Sequence, residues 1–170
     1  MTKIIPSIIP SQQIVDELRD ILGFQSIENA RDRNYACPSP EWLGPFGEWC
    51  RLNQPAKPSE GETGDCDDSA LWAVVEARKS ARDNPEFRGS GYSVFYCTVR
   101  IPLVGIGQED NWDGNTNDLN GIPGPTSHST CLVRCSDGVW YFFEPQTGLS
   151  TNVREAVASG RVGDRLFALA

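Results

Sequence analysis

A helix predicted over residues 65–83 is the feature that most constrains how this chain folds. Its sequence, DCDDSALWAVVEARKSARD, carries acidic residues in the first turn and Arg and Lys in the last, and both groups complement the helix dipole. The apolar face is wide and comprises Ala70, Leu71, Val74, Val75 and Ala77. A helix of this kind is expected at the centre of the fold, buried against other elements.

The remaining apolar patterns predict an α+β domain in which this helix packs on an antiparallel sheet. The other predicted elements are a helix over 11–22, a strand over 92–104, a hairpin over 128–148, a helix over 152–159 and a strand over 164–169. Residues 34–64 are rich in Pro, Gly and Trp and are expected to form a wrapping loop without regular structure. We expect a single domain over 1–170, in which residues 1–60 supply the N-terminal helix and the loop and residues 61–170 supply the core.

The charge balance and hydropathy exclude several classes of partner. The net charge is -8, and no run of Lys or Arg occurs, so binding to nucleic acid or to an anionic membrane is not expected. No stretch approaches the roughly 20 apolar residues that a membrane-spanning helix needs. The first residues, MTKIIPSIIPSQQ, lack the features of a secretory signal, which predicts action inside the cell or export by another route.

The six cysteines do not indicate a disulfide framework. Cys131 and Cys135 lie on one predicted strand, where their Cα atoms would be about 13 Å apart, too far for a disulfide. No Cys-x-x-Cys pair is present and the chain has one histidine, so a zinc site is poorly supported. Most of the cysteines are therefore expected to be buried thiols.

Cys66 lies where the central helix is predicted to begin. A helix N-terminus lowers the pKa of a thiol through its unpaired N–H groups, and the thiolate is the nucleophile. Gly61 and Gly64 precede it and allow a sharp turn of the backbone. A nucleophile is one interpretation of Cys66, and a small buried side chain is the other.

His128 is the single histidine, and the length of the hairpin loop decides what faces it. With a two-residue loop, Asp137-Gly138, His128 and Glu144 point to opposite faces of the sheet. With a three-residue loop, Ser136-Asp137-Gly138, His128 pairs with Gln146 and shares a face with Glu144. A catalytic interpretation predicts the three-residue loop, with Glu144 orienting the imidazole. The alternative is a packing or surface histidine.

The acidic residues beside Cys66 suggest a bound cation. Asp65, Asp67 and Asp68 would raise the pKa of a neighbouring thiol unless their charge were offset. Oxygen ligands favour calcium, and the acid-rich loop over 109–120 offers further ligands, among them Asp110 and Asp113. The loop does not have the spacing of an EF-hand, and a solvated polar loop is the alternative.

Three segments resemble a known family. GDCDDSALWA, HSTCLVRC and WYFFEPQTG are similar to the calcium-dependent papain-like cysteine protease domain at the C-terminus of the Marasmius oreades agglutinin. The resemblance spans roughly residues 60–150, and bacterial transglutaminase-like cysteine proteinases are more distantly similar. It implies a papain-like or transglutaminase-like α+β fold, with Cys66 as nucleophile, His128 as general base and acid, and Glu144 as the orienting group. It also implies Asp67, Asp68 and Glu76 as calcium ligands, although Glu76 has an alternative partner in Lys79.

Two departures from that family stand out. The glutamine that papain-like enzymes place about six residues before the nucleophile is replaced by Glu60, so the oxyanion donors are open. The backbone N–H of Cys66 is one candidate, and the side chain of Gln54 or Gln146 is another. Unlike that agglutinin, the sequence contains no carbohydrate-binding repeat.

The function expected from the sequence is that of a calcium-dependent cysteine peptidase acting on a protein or peptide substrate through a Cys-His-Glu triad. The same site used for transamidation or deamidation is an alternative. A catalytically idle structural or interaction module of this fold is the other.

Overall fold

The computed structural model describes residues 8–28, 32–54, 66–83, 91–101 and 126–169 and shows a mixed α+β fold with two sheets. The helical elements are α1 (Ser11–Asp16), a π-helical turn (Glu17–Ile21), a 3-10 turn (Pro40–Trp42), α2 (Leu43–Leu52), α3 (Cys66–Arg82) and α4 (Val153–Ala158). The strands are β1 (Ile8–Pro10), β2 (Ser26–Glu28), β3 (Asn34–Ala36), β4 (Gly91–Tyr92), β5 (Val94–Ile101), β6 (Thr126–Arg134), β7 (Trp140–Glu144), β8 (Leu149–Asn152) and β9 (Arg165–Leu169).

The larger sheet has six strands in the order β2-β9-β5-β6-β7-β8. Its neighbours pair antiparallel except β2 and β9, which are parallel. The smaller sheet has the order β1-β3-β4. Helix α4 and strand β9 were both expected from the sequence, and the structure confirms them.

Side-chain alternation along the strands divides the core of the six-stranded sheet into two faces. Leu132 of β6 and Phe142 of β7 belong to a cluster with residues of α1, the π-helical turn and α4. Cys131 and Phe143, one residue along in each strand, belong to a second cluster with residues of α2 and α3. We call these the α1/α4 face and the α2/α3 face.

Helix α3 confirms the predicted central helix and corrects its buried face. Its fully or nearly fully buried side chains recur at helical spacing and are Ser69, Ala70, Ala73, Val74, Ala77 and Ala81. Leu71 and Val75 were assigned to the apolar face, but they are 45% and 51% exposed. The apolar stripe of α3 is wider than the surface that the sheet and α2 cover, so Leu71 and Val75 face outward.

The prediction of a wrapping loop over residues 34–64 is wrong where that range contains β3, the 3-10 turn and α2. Two prolines suggested irregular structure, but both lie where a missing N–H is tolerated. Pro40 opens the 3-10 turn, and Pro45 is the third residue of α2, ahead of its first intrahelical N–H bonds. Gly47 lies so close to Gly148 that an added Cβ would collide with the Gly148 carbonyl oxygen. This approach holds α2 against the turn between β7 and β8.

Five cysteines are buried and form no disulfide with one another, as expected; they are Cys37, Cys50, Cys97, Cys131 and Cys135. Within the ranges that the structure describes, no helix is long and apolar enough to cross a membrane.

Candidate functional site

The hairpin between β6 and β7 has the three-residue loop on which the catalytic interpretation depended. The N–H of Cys135 donates to the carbonyl oxygen of Val139 at 2.9 Å, and Gly138 has a φ of 82°. In the ladder, Cys131 pairs with Phe143. The prediction that His128 and Glu144 share a face is thereby confirmed.

His128 and Glu144 form a buried pair. Nε2 of His128 lies 2.8 Å from Oε2 of Glu144, and both side chains are 2% exposed. The other carboxylate oxygen of Glu144 accepts from the backbone N–H of Gln146 at 3.4 Å. Alternation along β6 puts His128 on the face of Leu132, whereas Cys131, whose Sγ donates to the Ala70 carbonyl oxygen of α3, is on the other.

Cys66 is the first residue of α3, as predicted. Its side chain and that of Asp67 lie outside the described part of the structure. The nucleophilic role of Cys66 therefore stays a prediction.

Gln54 joins the end of α2 to two other elements. Its Nε2 group donates to the carbonyl oxygens of Cys50 at 3.0 Å and Pro145 at 2.8 Å, and its Oε1 accepts from the Ser69 hydroxyl at 2.9 Å. These bonds use both amide hydrogens. In this arrangement Gln54 ties α2 to α3 and β7 and has no N–H left for an oxyanion. Oε1 of Gln146 is buried without a hydrogen-bond partner among the described residues.

The predicted calcium ligands do not form a site within the described ranges. There, no group of three or more His, Cys, Asp or Glu side chains is arranged to hold a metal ion. Glu76 instead pairs with Lys79 at 3.1 Å, the alternative that its spacing suggested, and Asp68 is exposed. Asp110 and Asp113 lie outside the described residues. Calcium stays a prediction that depends on those acids and Asp67.

The thiols around the site are poor nucleophiles. Burial, with the charge of Glu76, raises the pKa of Cys50 to about 12. Burial, with the charge of Asp137, raises the pKa of Cys135 to about 12. Burial also raises the pKa of Cys97 and Cys131. These four side chains are packing groups and remain protonated at neutral pH.

A row of aromatic rings that the sequence interpretation missed lies across the 3-10 turn, α2 and α3. Trp42 stacks on Phe46 with 4.3 Å between ring centroids, and Phe46 stacks on Trp49 at 6.0 Å. Trp49 in turn stacks on Trp72 at 5.5 Å, and the planes within each pair differ by 14° or less. We call these four residues the aromatic row. Their spacing of four and three residues along PEWLGPFGEW was a helical signal that the prolines concealed.

The aromatic row is anchored in the core at one end and open to solvent at the other. Trp42 meets Tyr92 edge-on at 5.3 Å, and Phe46 lies 5.4 Å from the ring of Phe143. Trp49, by contrast, is 42% exposed. Other exposed apolar side chains of the same two helices are Leu52, Leu71 and Val75. Exposed apolar side chains of this kind make the outer side of these two helices a candidate binding surface.

No family model matches the chain, and no curated protein matches it. Two solved structures have a similar fold over 96% of this chain. One is named "PSL1a-E64 complex", with a TM-score of 0.62, 15% sequence identity and 50% of that chain covered. The other is Polyporus squamosus lectin bound to the human-type influenza-binding epitope Neu5Aca2-6Galb1-4GlcNAc, with a TM-score of 0.61, 13% identity and 49% covered. This chain therefore spans about half the length of each, and the likeness shows the fold.

These structures correct the function predicted from the motifs. The fold is found in a lectin. On that finding, three predictions are wrong: the papain-like cysteine protease family, cysteine peptidase activity and a peptide substrate. The motifs have structural uses that explain their presence. The acidic residues after Cys66 lie in the first turn of α3. Glu144 is the first residue of the turn between β7 and β8, where its carbonyl oxygen accepts from the N–H of Gly148 at 2.8 Å.

Proposed function

We propose that this chain is a glycan-binding domain whose binding surface is the aromatic row on α2 and α3. The observation that carries the proposal is the open end of the row, where Trp49 is 42% exposed and its neighbour Trp72 is partly exposed. Sugar rings present a face of C–H groups that packs on an aromatic ring, while their hydroxyl groups bind polar side chains at its edge. The similar fold of a lectin supports glycans as the class of ligand.

The neighbouring side chains suit such a ligand. Near Trp49 on α2, Arg51 pairs with Glu48 through bonds of 2.6 Å and 3.1 Å, and both side chains are about half exposed. An exposed guanidinium and carboxylate on the same helix supply donors and acceptors for hydroxyl groups of a ligand that extends past the rings. Stacked rings lose little conformational freedom when a ligand binds, which favours affinity.

The surface does not depend on the carbohydrate-binding repeat that the sequence lacks. It arises because α2 is held against the β7–β8 turn by Gly47 and against α3 by Gln54. The proposed binding surface is therefore a feature of the fold of this chain itself.

We also propose that the fold has a papain-like or transglutaminase-like arrangement, in which the central helix packs on an antiparallel sheet. The burial of α3 against β5 and β6 supports that description of the architecture. It concerns the fold and carries no activity.

The test is a glycan panel with a matched pair of variants. Trp49→Ala removes the exposed ring, and Ile8→Ala truncates a side chain of β1 that is 52% exposed and lies outside the row. The panel includes Neu5Aca2-6Galb1-4GlcNAc and the same glycan without its sialic acid. We expect a glycan that wild type and Ile8→Ala bind equally and that Trp49→Ala binds at least about tenfold more weakly, the scale of a central tryptophan contact.

Two results would reject the proposal. One is a wild-type chain that binds none of the glycans in calorimetry at millimolar concentration. The other is a bound glycan whose affinity is the same for wild type and Trp49→Ala, with circular dichroism showing both variants folded.

A further inference from the structure

A cavity of about 220 Å³ lies on the α1/α4 face, away from the aromatic row. It is bounded by the π-helical turn, the loop of the β6–β7 hairpin and the start of α4. Leu22, Trp140 and Val153 form its buried wall. Asp137 and Arg154 are exposed at its rim, and Asn152 is partly exposed there. A buried apolar wall with a few polar groups at the rim is the usual composition of a small-ligand site.

Glu17 also lines the cavity, but its charge is already compensated. Oε1 accepts from Nε of Arg134 and from the indole N–H of Trp140, both at 2.9 Å. Oε2 accepts from the amide of Gln13 at 2.9 Å. Burial would raise the pKa of Glu17, but these hydrogen bonds hold the pKa below its ordinary value. The carboxylate therefore stays ionised, and both of its oxygens already have donors within the protein.

The rim groups are fixed in place by the backbone. Oδ1 of Asp137 accepts from the Val139 N–H at 3.0 Å, and Oδ1 of Asn152 accepts from the Glu155 N–H at 3.2 Å. Each of these bonds uses one oxygen. They leave the second carboxylate oxygen of Asp137 as an acceptor and the NH2 group of Asn152 as a donor. Arg154 adds a cationic donor.

We infer that this cavity binds one neutral sugar ring. Adjacent hydroxyl groups can donate to Asp137 and accept from Asn152 and Arg154, because each hydroxyl is both donor and acceptor. Ile21, which lines the cavity and is 51% exposed, offers an apolar wall for the C–H face of the ring. The volume suits a single ring and not an oligosaccharide. The free carboxylate oxygen of Asp137 makes the cavity less favourable for an anionic sugar than for a neutral one.

This site shares its ligand class with the proposed function but not its residues, so the two are tested separately. Methyl hexosides are titrated into the chain while the indole N–H resonance of Trp140 is followed by NMR. Arg154→Ala is the disruptive variant, and Arg100→Ala is the control, because Arg100 is a half-exposed arginine on β5 outside the cavity. Asp137→Asn is a second variant that retains the shape of the side chain.

We expect a hexoside to shift the Trp140 resonance saturably in wild type, in Arg100→Ala and in Trp49→Ala. Arg154→Ala and Asp137→Asn should each bind at least about fivefold more weakly, the loss expected for a hydrogen bond to a charged group. The inference is overturned if no hexoside moves the Trp140 resonance or if Arg154→Ala binds like wild type. It is also overturned if N-acetylneuraminic acid binds as strongly as the neutral hexosides. Hexoside binding that survives Trp49→Ala supports the cavity even where the aromatic row fails its own test.

Discussion

The two faces of the six-stranded sheet differ in how their helices meet solvent. On the α1/α4 face, the buried ion pair between Arg134 and Glu17 is capped by the Trp140 indole, and Ile14 and Leu18 are fully buried. On the α2/α3 face, Leu71 and Val75 are about half exposed. On the first face, this ion pair and the Trp140 indole have their hydrogen-bond partners inside the protein. The second brings tryptophan rings to the surface.

The difference indicates a division between stability and recognition. Apolar surface left exposed gives no hydrophobic stabilisation to the fold, so it is available to a ligand. The ion pair of the other face stabilises the fold only while both partners remain, because a lone buried charge is costly. Substitutions in the buried ion pair of the α1/α4 face should therefore change unfolding, and substitutions in the aromatic row should change binding.

The largest expected effect is on the α1/α4 face. Arg134→Met leaves the carboxylate of Glu17 without its cationic partner. The side chain of Glu17 is only 12% exposed, so water cannot replace that partner. We expect a loss of about 3 kcal/mol or more in the free energy of unfolding, measured by urea denaturation.

Arg100→Met is the matched control for that prediction. Arg100 pairs with Asp164 at 3.7 Å, and both side chains are about half exposed or more. Its replacement should change the free energy of unfolding by no more than about 1 kcal/mol. Equal losses in the two variants would remove the distinction between the faces.

The next largest effect concerns the attachment of α2. Gly47→Ala places a methyl group against the backbone of Gly148, so α2 must shift, and we expect a loss of about 1–3 kcal/mol. Gly44→Ala in the same helix meets nothing within 4 Å and should be neutral or stabilise by up to about 1 kcal/mol. Thermal unfolding of both variants measures the difference. A Gly47→Ala variant as stable as Gly44→Ala would show that the close approach does not fix α2.

A smaller effect is expected in acid. Because the hydrogen bonds of Glu17 hold its pKa below the unfolded value of 4.5, the stabilisation they supply is present above that pH. It is lost as the pH falls from 4.5 through the lower pKa of the folded state. Urea titrations between pH 3 and pH 7 should show a shallower acid loss for Glu17→Gln than for wild type. Identical slopes in the two proteins would contradict this assignment.

The smallest expected effect is at Cys66. A binding domain predicts no difference between wild type and Cys66→Ala in cleavage of labelled casein, with or without calcium. Iodoacetamide at pH 8 should leave the buried thiols of Cys50 and Cys135 unmodified in the folded chain, because their pKa values are about 12. Casein cleavage that requires Cys66 would contradict the account and restore the peptidase interpretation.

Elements with a local signal were predictable from the sequence. Helix α3 carries its own dipole-complementing charges, and both hairpin loops that the sequence left open place glycine at position 138, whose φ of 82° only glycine adopts readily. The three-residue loop of the structure gives the register in which His128 lies beside Glu144, as the catalytic interpretation required. In each case the residues that determine the structure lie within one turn or one hairpin.

Features that depend on contacts between distant segments were not predictable. Helix α2 looked irregular because Pro40 and Pro45 are breakers in most positions, and its seating depends on Gly148, about one hundred residues away. The exposure of Leu71 and Val75 depends on how much of α3 the other elements cover. Function was the least predictable, because short motifs that begin a helix or close a turn also occur in catalytic sites.

The measurement that tests the central claim most directly is an NMR titration of the five tryptophan indole N–H resonances with the tightest-binding glycan of the panel. If the aromatic row is the binding surface, the resonances of Trp49 and Trp72 shift together and saturate with one affinity, and Trp49→Ala abolishes the shift of Trp72. Resonances of Trp49 and Trp72 that stay in place at saturating glycan would contradict it.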